Sequence, residues 1–231
     1  MPSIGMIVPL TNTVNEAEWK RMAPEMRFPL VRMALHPHGD PKLFDDLRAC
    51  LDQLGTSQPD VIAYACTAGS MVQPLDSLAG FMSRESGRPA VATAPALVHA
   101  CRALGLKRVS LATPYHDALN EHEKEFLAEN GIQVVAMKGL GIGAGGAHEY
   151  VRIAKVSEAE VYAHCLGADH PDAEGMIVSC TDFRTLGILP RLEAELGKPV
   201  VSSNLATFWM ALRAAGVDQR PKGYGRLLEQ H

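Results

Sequence analysis

Short apolar runs recur along the chain at "IGMIVP", "DVIAYA", "PAVAT", "RVSLAT", "IQVVAM", "GMIVS" and "PVVSS", each bounded by glycine, proline or polar residues. Runs of this kind, rich in Val and Ile and without polar alternation, predict strands buried on both faces. Between them the spacing predicts helices over Lys42–Leu54, Ala94–Leu104, Asp117–Asn130 and Leu205–Ala215. Several are opened by Asp, Thr or Asn and closed by Gly. Doubly buried strands alternating with helices predict parallel sheets covered on both sides, because parallel neighbours require long crossover connections. In open sheets of this type ligands sit at the carboxyl ends of the strands, so residues directly after a strand carry the functional interest.

An internal repeat refines the picture. "DVIAYACTAGS" followed by "GRPAVATAPALVHACRALG" matches "EGMIVSCTDFR" followed by "GKPVVSSNLATFWMALRAAG". Each copy has an apolar strand ending in Cys-Thr, a Gly-Arg/Lys-Pro turn, a second strand, and a helix with Arg shortly before Gly. The expected fold is therefore α/β: two similar Rossmann-like halves with parallel sheets, related by a pseudo-twofold axis, with the active site in the cleft between them. The first half is expected to comprise residues 1–92 and 202–231, the second residues 93–201. No Ser/Gly-rich spacer or low-complexity tract separates them. The one loose stretch is "GLGIGAGGAHE", and the terminal "DQRPKGYGRLLEQH" is expected to pack on or cap a neighbouring element.

The composition of the 231 residues, 47% hydrophobic and 21% charged, is that of an ordinary globular protein able to bury a sizeable core. A formal net charge of -4 gives no electrostatic reason for binding nucleic acid or anionic membrane, which leaves a small molecule as the natural partner. No apolar run approaches the roughly 20 residues that cross a bilayer, and "MPSIGMIVPL" lacks a basic stretch followed by a cleavage site. The expected location is cytoplasmic. Five cysteines, odd in number and free of any C-x-x-C pair, signal neither a disulfide framework nor a zinc site.

Cys66 and Cys180 are the candidate catalytic residues. Each ends a predicted strand and is followed by small or polar residues, Thr67, Ala68, Gly69 and Ser70 in one case, Thr181 and Asp182 in the other. Backbone N–H groups of such a turn lower a thiol's pKa, and they also hold a carboxylate oxygen or the enediolate formed when a proton or CO2 leaves the neighbouring carbon. Cys50, Cys101 and Cys165 lie in helical segments and read as small buried hydrophobes. "GIGAGG" has the G-x-G-x-x-G spacing of a dinucleotide site but lacks a clear helix after it and an acidic residue ending the next strand. It reads as a flexible active-site loop. In "HPHGD", His36, His38 and Asp40 lack a further ligand cluster, and Asp40 reads as a helix N-cap; no metal is expected. The preceding "VRMALH" reads as packing, His116 as a helix cap, and no G-x-S-x-G is present.

The motifs "YACTAGS" and "VSCTDFRTLGILP", with "IVPLTNT" at the start and "ATPYHDALNEHEKEFL" between, resemble the aspartate/glutamate racemase superfamily, in particular its maleate cis-trans isomerase and arylmalonate decarboxylase branch. The likeness runs from Ile4 to "GYGRLL". It implies a cofactor-independent enzyme acting on a small carboxylate, and a homodimer or higher homo-oligomer. "VSLATPY", "GKPVVSSNLATFW" and "GYGRLL" look like the decarboxylases, which keep the second cysteine and carry glycine at the first; this chain has Cys66. Asn12 is similar to the asparagine with which maleate isomerases hold a carboxylate, whereas their further asparagine in the middle loop has no counterpart in "GAGGAHEY". The resemblance thus implies an isomerase using Cys66 and Cys180, maleate to fumarate in the first instance, with Asn12, Thr67, Ala68, Tyr115 and Thr181 binding substrate. A two-cysteine racemase and a decarboxylase using Cys180 alone are the alternatives. A binding module of the periplasmic type also has two α/β halves, but would leave the twin thiols unexplained.

Overall fold

A computed structural model describes residues 2–37 and 39–231. Two four-stranded parallel sheets form its frame. The first contains β1 (Ile4–Pro9), β2 (Leu30–Met33), β3 (Val61–Tyr64) and β4 (Ala90–Ala92) in the order β2-β1-β3-β4. The second contains β5 (Arg108–Tyr115), β6 (Gln133–Ile142), β7 (Gly175–Val178) and β8 (Val200–Ser202) in the order β6-β5-β7-β8. The two orders are the same, and the pairings place the repeat in register: Ala63 lies beside Val91 as Ile177 lies beside Val201. This is the expected pair of similar α/β halves.

Alternation along the strands sends side chains to opposite faces. Ile4, Met6 and Val8 of β1 enter the large core, together with Val61, Ala63 and Ala65, whereas Ile7, Ile62 and Tyr64 enter a smaller one. Helices α2 (Lys42–Gly55) and α3 (Ser77–Ser86) cover that smaller core. Helix α2 does so because Leu43, Leu47, Cys50, Leu51 and Leu54 form a single stripe at helical spacing. Between the halves, α4 (Thr93–Ala103) packs against α8 (Ser203–Ala214), the two helices that follow the equivalent strands β4 and β8. Helix α8 also lies on β3 and β4 and α4 on β8, so each of these helices bridges the two sheets.

Helix α1 (Asn15–Met22) supplies a polar latch to this interface. The buried carboxylate of Glu18 accepts hydrogen bonds from Thr185 N at 2.7 Å, Leu186 N at 2.9 Å and Asn204 Nδ2 at 2.7 Å. Trp19 Nε1 donates to Asn204 O at 3.0 Å. Burial raises the pKa of Glu18, and these donors pull against that shift. At the other end of the chain, α9 (Arg226–Gln230) packs on α8 through Leu227 and Leu228, as the terminal segment was expected to pack. Among the described residues no helix is long and apolar enough to cross a membrane.

Candidate active site

The strand orders create two topological switch points, at the carboxyl ends of β1 and β3 and of β5 and β7, where neighbouring strands send their connections in opposite directions. Asn12 and Cys66 follow the first pair; Tyr115 ends β5 and Cys180 follows β7. The two points meet in one cleft. Asn12, Cys66, Thr67, Ala68, Tyr115, Cys180 and Thr181, all the residues anticipated for the site, line it around about 410 Å³ of empty space. The described residues contain no cluster of His, Cys, Asp and Glu suited to a metal; His38 of the "HPHGD" reading lies outside them.

Hydrogen bonds across the pseudo-twofold hold the site together. Asn12 Nδ2 donates to Thr181 Oγ1 at 3.1 Å, and Thr181 Oγ1 donates to Ala65 O at 3.1 Å. Thr67 Oγ1 and Ser203 Oγ lie 2.9 Å apart, and Ser203 Oγ accepts from Cys180 N at 3.0 Å. That last bond matters because Cys180 has φ of +100°, a conformation that costs a residue with a side chain on the order of 1–3 kcal/mol. Cys66 shows no such distortion.

Each sulfur is nearly buried, and each meets one backbone N–H and one tyrosine. Gly69 N donates to Cys66 Sγ at 3.3 Å and Asp182 N to Cys180 Sγ at 3.4 Å. The Tyr64 side chain lies against Cys66 and that of Tyr115 against Cys180. Burial raises the pKa of Cys66, offset in part by Gly69 N–H and the Tyr64 hydroxyl. Burial pushes Cys180 up to about 12 against the same kinds of donor, and the carboxylate of Asp182 pushes in the same direction as burial. Cys50, Cys101 and Cys165 lie buried in α2, α4 and α6 (Glu158–Leu166), as expected of structural thiols.

Several lining residues were not anticipated as such. Leu35, Leu119, Tyr150 and Ile153 form an apolar wall. Tyr150 and Ile153 come from a 3-10 helix, Ala147–Lys155, in a segment whose pattern predicted no clear helix. Ahead of it the expected loose stretch is partly strand: Gly139 and Ile142 of β6 pair with Thr113 and Tyr115. The amides that "GIGAGG" would offer a phosphate are occupied, since Gly143 N and Gly145 N donate to Glu149 Oε2 at 2.8 and 3.3 Å. In the "HPHGD" segment, Asp40 Oδ1 accepts from Lys42 N at 3.0 Å, but Pro41 rather than Asp40 occupies the N-cap of α2. His116 occupies the N-cap of α5 (Asp117–Glu129) without a side-chain cap.

Two buried carboxyl groups flank Cys180. Asp182 lines the cleft, and its Oδ1 accepts from Thr13 N at 2.7 Å and Val14 N at 3.1 Å, bracing the loop that carries Asn12. Burial raises it to about 6. Glu123 of α5 accepts from Ser179 Oγ at 2.9 Å, directly before Cys180, and burial raises it to about 7. From the outer side Arg32 of β2, in the segment read as packing, donates through Nη1 to Pro9 O at 3.3 Å and Asn12 O at 2.5 Å.

Comparison with known proteins agrees with this fold. Residues 4–228 match the family model described as arylmalonate decarboxylase. The arylmalonate decarboxylase of Bordetella bronchiseptica is 32% identical, with 99% of this chain and 97% of that protein covered. A maleate isomerase of Nocardia farcinica is 27% identical, covering 98% of this chain and 95% of its own length. The solved structure of Nocardia farcinica maleate cis-trans isomerase bound to TRIS matches with a TM-score of 0.89 at 25% identity, over 100% of this chain and 98% of that one. By fold, by sequence over nearly its whole length and by the named chemistry of its relatives, the chain belongs to the arylmalonate decarboxylase family of enzymes, which lies in the maleate isomerase and decarboxylase branch of the racemase superfamily.

Proposed function

We propose that this protein is a cofactor-independent isomerase of small carboxylic acids that works through Cys66 and Cys180, with conversion of maleate to fumarate as its first-choice reaction. The observation that carries this reading is that the two thiols follow equivalent strands and line one cleft. One carboxylate is held by Asn12 and the N–H groups around Thr67, Ala68 and Thr181, with Tyr115 completing the cradle. Cys66 as thiolate adds to one alkene carbon, forming a C–S bond and sending the π electrons into the adjacent carboxylate as an enediolate. The Cys180 thiol gives its proton to the carbon next to that carboxylate. Rotation follows about the resulting single bond; Cys180 then takes a proton back as the C–S bond breaks, releasing the trans acid and the Cys66 thiolate. The raised pKa of Cys180 suits a group that must hold a proton at neutral pH.

A second reading is favoured by the apolar wall of Leu35, Leu119, Tyr150 and Ile153. A 2-substituted acid would place its apolar substituent there, and the two sulfurs would exchange the α-proton from opposite faces, giving racemisation; a decarboxylase would need Cys180 alone. The relatives' named activities, maleate isomerisation and arylmalonate decarboxylation, support the first and the last of these chemistries. We further propose that the protein is cytoplasmic and works as a homodimer or higher homo-oligomer, on small carboxylates rather than nucleic acid or membrane. Proton NMR of the wild-type protein in D2O with maleate, D- and L-aspartate, glutamate, hydantoins and arylmalonates tests the substrate. Fumarate formation supports the first reading. Inert maleate with deuterium entering the α-carbon of a 2-substituted acid replaces it with the second, and CO2 release from an arylmalonate replaces it with decarboxylation.

A further inference from the structure

Beyond Cys-Thr the repeat that relates the two halves diverges, Ala68, Gly69 and Ser70 standing opposite Asp182, Phe183 and Arg184, and the first of these differences brings a carboxyl group beside one thiol. Aligned through Cys66-Thr67 and Cys180-Thr181, Ala68 of the first half corresponds to Asp182 of the second. Both line the cleft, so the difference places a carboxyl group two residues from one sulfur and a methyl group two residues from the other.

The carboxyl is firmly placed. Its Oδ1 takes the Thr13 and Val14 amides, its own backbone N–H points at Cys180 Sγ, and Oδ2 is buried without a hydrogen-bond partner. An acceptor with no donor keeps its negative potential unscreened, and a like charge close by disfavours thiolate formation. The other groups acting on Cys180 are Tyr115 and Cys66; those acting on Asp182 are Arg32 and Arg184, and Glu123 stands behind Ser179. Asp182 has no counterpart beside Cys66, where Gly69 N–H and Tyr64 favour the thiolate.

We infer that Asp182 is a positioning residue that sets the two thiols apart, holding Cys180 in the protonated state and leaving Cys66 as the thiol that ionises. The inference builds on the two-cysteine reading and names the group that divides the labour within it. Below a thiol's pKa its alkylation rate follows the thiolate fraction, so the asymmetry is measurable without any substrate.

The test is residue-resolved alkylation of the intact protein by iodoacetamide between pH 7 and 9, read by mass spectrometry of the Cys66 and Cys180 peptides. Asp182→Asn keeps an oxygen for the Thr13 and Val14 amides while removing the charge. It is expected to lower the pKa of Cys180 by about one unit, a roughly tenfold gain in its alkylation rate, with Cys66 little changed. Ala68→Asp is the reciprocal variant, expected to slow alkylation of Cys66 by a similar factor and leave Cys180 alone; it decides the matter if Asp182→Asn does not fold. Unchanged rates at both thiols, or equal changes at both, would overturn the inference. Because no turnover is needed, that result would leave the proposed reaction standing, just as an inert substrate panel would leave this asymmetry standing.

Discussion

Substituting Gly69 by alanine tests how closely the first cysteine turn is built. Gly69 lies in a 3-10 turn, Ala68–Ser70, without a positive φ, so its backbone accepts alanine. On that ground alone the change would stabilise by about 0.4–1 kcal/mol, through reduced freedom of the unfolded chain. Packing opposes it. An added Cβ would fall well inside contact distance of the Tyr64 hydroxyl and 3.2 Å from Cys66 Sγ. Tyr64 is 1% exposed and rigid, so it cannot swing away at low cost. Overpacking of this kind costs about 1–3 kcal/mol. The net expectation is a loss of about 1–2 kcal/mol, seen as a fall in Tm of roughly 2–8 °C for a chain of this size. Pushing the turn outward also lengthens the Gly69 N–H contact to Cys66, so activity should fall by more than the stability loss explains. Urea unfolding, thermal unfolding and turnover at a temperature where the variant is fully folded measure the two effects. A variant as stable and as active as wild type would show that the turn has room that the structure denies it, and the cradle drawn around Cys66 would have to be redrawn.

Other consequences can be checked in parallel. Ser203→Ala deprives the Cys180 amide of its acceptor and Thr67 of its partner, and should cost about 1–3 kcal/mol in urea unfolding, with kcat reduced; an unchanged kcat would mean the distorted Cys180 backbone does not depend on that bond. Thr181→Val preserves shape but removes the link from Asn12 to the second half, so KM should rise, with a stability loss of about 1–2 kcal/mol. Burial raises the folded-state pKa of Glu123 to about 7 from the ordinary carboxylate value of about 4.5. The native state therefore binds a proton that the unfolded state has lost, and stability should decline as pH rises between about 4.5 and 7. Glu123→Gln should remove that part of the slope in unfolding titrations, by up to about 3 kcal/mol across the window; an identical slope would place Glu123 in a more polar setting than the structure does.

Much of the frame could be read along the chain because parallel strands are apolar on both faces. Val61–Tyr64 and Gly175–Val178 stand out for that reason. β2 escaped because it is a four-residue edge strand, partly exposed and carrying Arg32. The twin thiols were legible because they follow strands closely, where topology concentrates function, whereas Asn12 was legible only through the family resemblance of "VPLTNT". Tyr150 and Ile153 were not, since nothing local brings the 3-10 helix after the glycine-rich turn back over the cleft; that depends on β6 running on beside β5 to Ile142. Ser203 carried a usable signal, as its alignment with Thr93 in the repeat marks a hydroxyl at the end of equivalent strands β4 and β8. Glu18 and Glu123 carried none: a carboxylate in a helix reads as solvated until the partners that bury it are known.

The central claim is that both thiols do chemistry on one substrate, and turnover by Cys66→Ser and Cys180→Ser, each with the acid the wild-type protein processes fastest, tests it most directly. The account predicts that both variants lose nearly all activity, at least about a thousandfold in kcat, while keeping wild-type unfolding curves. A Cys66→Ser protein that stayed fully active beside a dead Cys180→Ser protein would contradict it, and would mark the enzyme as a decarboxylase working through one thiol.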